Sequence, residues 1–102
     1  MKRRYLALAI ESADTISPDE FADAVWGSVS KMFGECGASQ TNLSLISFDE
    51  QKNVAVVRTA HTTLNMTRAA LATMTRIGNK PVAVHILRVS GTIKALHRKT
   101  RQ

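Results

Sequence analysis

The stretch TNLSLISFDEQKNVAVVRT, residues 41–59, reads as two strands joined by a short polar link. Thr41 to Phe48 is strand-like, Asp49-Glu50-Gln51-Lys52-Asn53 is polar and turn-prone, and Val54 to Thr59 is β-branched and aliphatic. A link of about four or five residues between two such runs predicts a β-hairpin. A helical pattern flanks the hairpin on each side. Ahead of it, Ser17-Pro18-Asp19-Glu20 places a hydroxyl at the N-cap, proline at the first helical position and glutamate three residues after the cap. That arrangement gives partners to two backbone donors that a helix start otherwise leaves orphaned. Phe21, Val25, Val29 and Met32 or Phe33 then recur at three- and four-residue spacing, and Gly34 stands where a helix ends in a left-handed residue. Behind the hairpin, about Thr63 to Ile77 carries Met66, Ala70, Met74 and Ile77 on one side and stops at Gly78-Asn79.

Further out, Arg4 to Ser12 is a short apolar run, which suits a strand buried on both faces. Pro81 opens a last strand through Val89, and since proline cannot donate to a ladder, that strand is expected at a sheet edge. Ser90-Gly91-Thr92 caps a short terminal helix with Ile93 and Leu96 on one side. The order strand, helix, strand, strand, helix, strand, helix predicts an α+β ferredoxin-like (RNA-recognition-like) βαββαβ sandwich with an added C-terminal helix, residues 1–102 forming a single domain. In that fold the strands lie in the spatial order 4-1-3-2, all neighbours antiparallel, and the Pro81 strand falls at an edge.

The charges are divided as sharply as the elements. Residues 1–50 hold eight carboxylates against four Lys and Arg, a balance of −4, while residues 51–102 hold ten Lys and Arg and no acid; together they give the net +6. A cationic half without internal counter-charge repels itself and gains most from a polyanion. Antiparallel pairing would bring Lys2, Arg3 and Arg4 beside Arg58 and Arg88 on one rim. The second and terminal helices would begin at that rim, with Arg68 and Lys94 about a turn inside and their first backbone amides free. The Ser90-Gly91-Thr92 turn reads by default as a plain helix cap, and a phosphate-binding turn is a comparable reading only because Lys94, His97, Arg98, Lys99 and Arg101 follow. Asp14, Asp49 and Glu50 would fall at the opposite rim, diluted by Lys52 and Lys80.

Other classes find less support. The third strand, Asn53-Val54-Ala55-Val56-Val57-Arg58, lacks the paired aromatics of an RNA-recognition sheet. The open sheet face is therefore not expected to be a base-reading platform, and it needs cover from the terminal helix or another protein. His61, His85 and His97 show no spacing for a shared metal, and His85 reads as a packed or hydrogen-bonded side chain. Asp49 and Glu50 are adjacent in a turn, a poor arrangement for a paired general acid and base. Cys36 has an acidic neighbour, which disfavours a reactive thiolate, and as the single cysteine it makes no internal disulfide. Trp26 and Phe33 read as core or interface residues. Met1-Lys2-Arg3-Arg4 is like the front of a signal peptide, but Glu11 and Asp14 cut the apolar stretch short; no run of about 18 apolar residues occurs, and a cytoplasmic protein without membrane contact is expected.

Arg4-Tyr5-Leu6-Ala7-Leu8, Ala24-Val25-Trp26, Phe33-Gly34-Glu35-Cys36-Gly37-Ala38, Val57-Arg58, Arg68-Ala69-Ala70-Leu71 and especially Val89-Ser90-Gly91-Thr92-Ile93-Lys94-Ala95 together resemble the ribonuclease P protein component 2 family, the archaeal branch of a family with a eukaryotic nuclear branch. The resemblance runs through nearly the whole chain in the right order and departs at His97, where another basic residue is expected. It implies a subunit of the ribonucleoprotein that removes the 5′ leader from precursor tRNA. The catalytic RNA, with magnesium at its active site, would carry the chemistry, so no cofactor is expected in the protein and no residue of the chain is catalytic. The implied partners are that RNA, the barrel-shaped protein component 3, precursor tRNA indirectly, and a second copy of the chain. The rival reading is a ferredoxin-like regulatory module that binds a small anion at the same rim.

Overall fold

The computed structural model describes residues 2–92. Its elements are β1 (Arg3–Glu11), α1 (Pro18–Gln40), β2 (Ser44–Asp49), β3 (Val54–Ala60), a 3₁₀ turn (His61–Thr63), α2 (Leu64–Ala72), a two-residue pair β4 (Arg76–Ile77) and β5 (Lys80–Pro81), and β6 (Ala83–Ser90). The main sheet has the order β2-β3-β1-β6, every neighbour antiparallel. With β6 counted as the fourth long strand, this is the expected 4-1-3-2 order.

The sandwich forms because alternate strand residues turn to the helices. Leu6, Leu8 and Ile10 of β1 and Ala55 and Val57 of β3 are buried against Phe21 and Val25 of α1 and Leu71 of α2. Phe21 also meets Phe48 of β2 with ring centroids 5.4 Å apart. The start of α1 is built as its sequence dictates: the Ser17 hydroxyl accepts from the Glu20 amide at 3.2 Å, and Glu20 Oε1 accepts from the Ser17 amide at 3.1 Å. On the link between β2 and β3, Asp49 Oδ1 accepts from the amides of Gln51 and Lys52 and so closes the hairpin turn.

Several boundaries differ from expectation, each for a local reason. Gly34 interrupts α1 with φ 76° and ψ 167° but does not end it. The helix resumes because Ala38 finds a buried place against Val29 and Ala70, and the Thr41 hydroxyl fastens its end by donating to the Ala38 carbonyl at 2.7 Å. Met32 and Phe33, expected on the apolar stripe, are exposed just before the break, and so is Trp26, so the buried stripe stops at Val29. Thr41 is spent on this cap and β2 starts only at Ser44. The helix α2 ends at Ala72, not Ile77; Met74 and Ile77 keep the periodicity because both are buried, but Gly78 at φ 64° turns the chain back so that Ile77 pairs with Lys80. Pro81 belongs to this small ladder, opposite Arg76, and the edge strand begins at Ala83 instead. The expected terminal helix lies outside the described residues. Among the described residues no helix is long and apolar enough to cross a membrane.

Candidate nucleic-acid interface

The strand register decides which cations meet. Arg3 is opposite Ala60, Tyr5 is opposite both Arg58 and Ser90, and Ala7 is opposite both Val56 and Arg88. On the outer side Ser44 pairs with Arg58. Arg3, Arg58 and Arg88 therefore occupy neighbouring rows at one end of the sheet. Because strand residues alternate, all three lie on the face away from the helices, while Arg4 shares the helix-side parity of Leu6. A bulge in β6 between the partners of Ala7 and Leu8 places Leu87 beside Arg88, and both are exposed.

Lys2 and Arg3 are exposed at the start of β1, and the Lys2 carbonyl accepts from the His61 amide at 2.9 Å, tying this tip to the entry of α2. Arg68 is exposed one turn into α2, whose N-cap Thr63 makes no side-chain capping bond to the helix. The first amide of α2 is not free as expected, because the 3₁₀ turn runs directly into the helix and the Leu64 amide donates to the His61 carbonyl. At the end of β6 the Ser90 hydroxyl accepts from the Thr92 amide at 3.4 Å, the first bond of a turn. A Cβ on Gly91 would come within 3.5 Å of Arg4 Nη1, so this glycine and that guanidinium share one spot. Of the expected RNA-binding residues, Lys2, Arg3, Arg4, Arg58, Arg68, Arg88, Ser90, Gly91 and Thr92 gather around this end. Lys94, Arg98 and Lys99 lie outside the described residues.

The far end is electrically different. There Lys80 Nζ meets both oxygens of Glu20 at 3.0 Å and the Thr15 carbonyl at 2.9 Å, and His85 Nε2 lies 3.2 Å from Glu11. Lys80–Glu20 is an ion pair, and His85–Glu11 is a hydrogen bond that becomes one when the imidazole is protonated. The hydrogen bond from Lys80, followed by the Ser17 amide, holds the Glu20 carboxyl below its ordinary pKa of 4.5. His85 is hydrogen-bonded and exposed rather than packed. At the cationic end, by contrast, Arg58 Nε is buried without a partner.

A buried threonine network underlies the cationic end. The Thr59 hydroxyl lies 2.8 Å from that of Thr67 and donates to the Thr41 carbonyl at 3.2 Å, joining β3 to α2 and to the end of α1. The Ala60 amide donates to the same carbonyl at 2.7 Å. The strand tips that carry the cations are thus anchored by hydrogen bonds in a setting that excludes water, where each is costly to lose.

Sequence reading missed Tyr5 as part of this site. The run from Arg4 looked apolar on both faces, yet a period of two from Arg3 puts Arg3, Tyr5, Ala7 and Ala9 on the open face, and that signal was present. Tyr5 and Ile46 pack around buried Ala7 and Val56 there. No three of the described His, Cys, Asp and Glu side chains come together as a metal site.

Fold and site together define a small α+β sandwich whose sheet is cationic at one end and ion-paired at the other. The Rpp14/Pop5 family model matches residues 4–101. The ribonuclease P protein component 2 of Methanosarcina barkeri is 39% identical over 101 residues, covering 99% of this chain and 73% of that protein, and its Pyrococcus furiosus namesake is 31% identical, covering 96% and 82%. A chain in the cryo-EM structure of yeast ribonuclease MRP superposes with a TM-score of 0.73 at 16% identity, covering 99% of this chain and 92% of its own length, which shows a shared fold. The chain belongs to the Rpp14/Pop5 family and is a ribonuclease P protein subunit.

Proposed function

We propose that this chain binds the catalytic RNA of ribonuclease P through its cationic rim and supports removal of the 5′ leader from precursor tRNA. One observation carries the reading: Arg3, Arg58 and Arg88 occupy adjacent rows of one sheet face, while the ion pairs of the described residues lie at the other end. Cations so gathered lower the repulsion between folded RNA helices, which lets the RNA hold substrate and metal ions at lower magnesium. Arg68, Ser90, Gly91 and Thr92 extend the rim along the start of α2 and the end of β6, and Lys94, Arg98 and Lys99 follow in sequence.

The rim offers guanidinium and ammonium groups, whereas a magnesium ion needs oxygen ligands. Magnesium is accordingly assigned to the RNA, and this chain's residues bind and orient phosphates without taking part in bond cleavage. Protein component 3 is the proposed protein partner, with Trp26, Met32 and Phe33 of α1 large apolar side chains exposed among the described residues and offered to it. A cytoplasmic location goes with this reading.

The test is cleavage of precursor tRNA by the reconstituted ribonucleoprotein with and without this chain across a magnesium series. The chain should shift the requirement to lower magnesium; an unchanged requirement refutes the proposal. A module for a small anion would instead show saturable binding of one metabolite with little dependence on salt.

A further inference from the structure

We infer that the sheet face away from α1 and α2 takes one unpaired RNA nucleotide, its base against Tyr5 and its neighbouring phosphates on Arg3, Arg58 and Arg88; this rests on the RNA-binding reading above and deepens it. The cross-strand row through Tyr5 runs Ser44, Arg58, Tyr5, Ser90, so the half-buried ring has small hydroxyl residues at both ends of the row and an arginine directly beside it. Arg3 lies at the strand tip two residues outward, and Arg88 lies across from Ala7, two residues inward. An aromatic face ringed by cations is the arrangement that holds single-stranded nucleic acid, since every base has a face to stack and every link carries a phosphate. No aromatic of β3 contributes, so the platform has room for one base rather than a run of them.

Two features select an unpaired nucleotide over other occupants. Arg58 is paired with no acid among the described residues, so its guanidinium can meet a phosphate without breaking an internal ion pair. The acids of the open face, Asp49 and Glu11, lie further along the strands, beside Val54 and Ala83, leaving the rows around Tyr5 free of negative charge. An apolar protein surface pressed here would desolvate three arginines without compensation. A duplex presents no base face to the ring.

The full chain is titrated with a ten-nucleotide fluorescent single-stranded RNA and with its duplex, over a range of salt. Tyr5 is the single tyrosine, so 3-fluorotyrosine gives one ¹⁹F resonance from this site. The single strand should move that resonance and the duplex should not. Tyr5→Ala should weaken single-strand binding by about five- to a hundredfold with the salt slope unchanged, and Tyr5→Phe should keep the affinity. Arg58→Ala should lower the slope by about 0.7. Tyr5→Leu keeps apolar cover over Ala7 and Val56 without an aromatic face, so it should behave as Tyr5→Ala does, and it decides the matter if the alanine variant unfolds. If Tyr5→Leu binds like the parent while Arg58→Ala weakens binding, the inference fails and the RNA-binding reading survives. If the parent binds neither the single strand nor ribonuclease P RNA, both fail. A ¹⁹F resonance that shifts with protein concentration, alongside sedimentation as a dimer, makes the face a protein interface and also overturns the inference.

Discussion

The two ends of the sheet are made from the same strands and treat charge in opposite ways. At the end where β1 finishes, Glu11 faces His85, and Glu20, at the start of α1, holds Lys80 that follows the β4 turn, so acids of the first half of the chain stand among the cations there. At the end where β1 begins, Arg3, Arg58 and Arg88 share a face with no acid in their rows. Net charge alone therefore says little about where a polyanion docks. What matters is which cations the fold leaves without an internal partner, because only those gain by releasing counterions from a phosphate backbone.

The sharpest way to break this contrast is to remove the unmatched charges. Arg58→Ala with Arg88→Ala should weaken binding of the catalytic RNA roughly thirtyfold at 0.1 M salt and lower the log–log salt slope by about 1.4 to 1.8, evenly across RNA sequences. Equal loss from removing Lys80 would erase the distinction between the two ends. Next comes the foundation under the cations. Thr59→Val leaves the Thr67 hydroxyl without its 2.8 Å partner and should cost about 1 to 3 kcal/mol in urea unfolding. A smaller effect is expected from Gly91→Glu, which brings a carboxylate to the neighbourhood of Arg4 Nη1. The protein should stay folded by circular dichroism while the reconstituted enzyme needs a few-fold more magnesium, and wild-type cleavage by a folded variant would remove this turn from the site.

The smallest effect belongs to the matched end. Glu20 has its pKa lowered in the folded protein, mainly by Lys80, so the pair adds stability above the ordinary value of 4.5 that is lost as pH falls through the lowered value. The parent should melt slightly higher than Glu20→Gln at neutral pH, by little because the pair is partly exposed and screened by water, and the gap should close as pH falls through the lowered pKa of Glu20. RNA affinity should be the same in both. A Glu20→Gln variant with altered RNA affinity would mean that the ends are coupled.

Much of this was legible in the chain. The capping box at Ser17 and Glu20 and the division of charge between the two halves are found as read, and the hairpin read from Thr41 to Thr59 is found from Ser44 to Ala60. Failures cluster where burial competes with local propensity. Gly34 is a helix stop by itself, yet α1 continues because Ala38 is drawn into the core. Met74 and Ile77 have helical spacing, yet they are buried from a turn and a short ladder. Pro81 does mark a break in a ladder, but in the small one that precedes the edge strand.

By itself the sequence determined the four long strands and the two helices between them, their order and the excess of cations in the second half, because caps, turns and apolar periods act over a few residues. Tertiary structure alone decided that Tyr5 stands beside Arg58, and that Lys80 and His85 are met by Glu20 and Glu11. Those relations join residues 53 to 74 positions apart in the chain, and only the antiparallel register and the packing of α1 across the sheet bring them together.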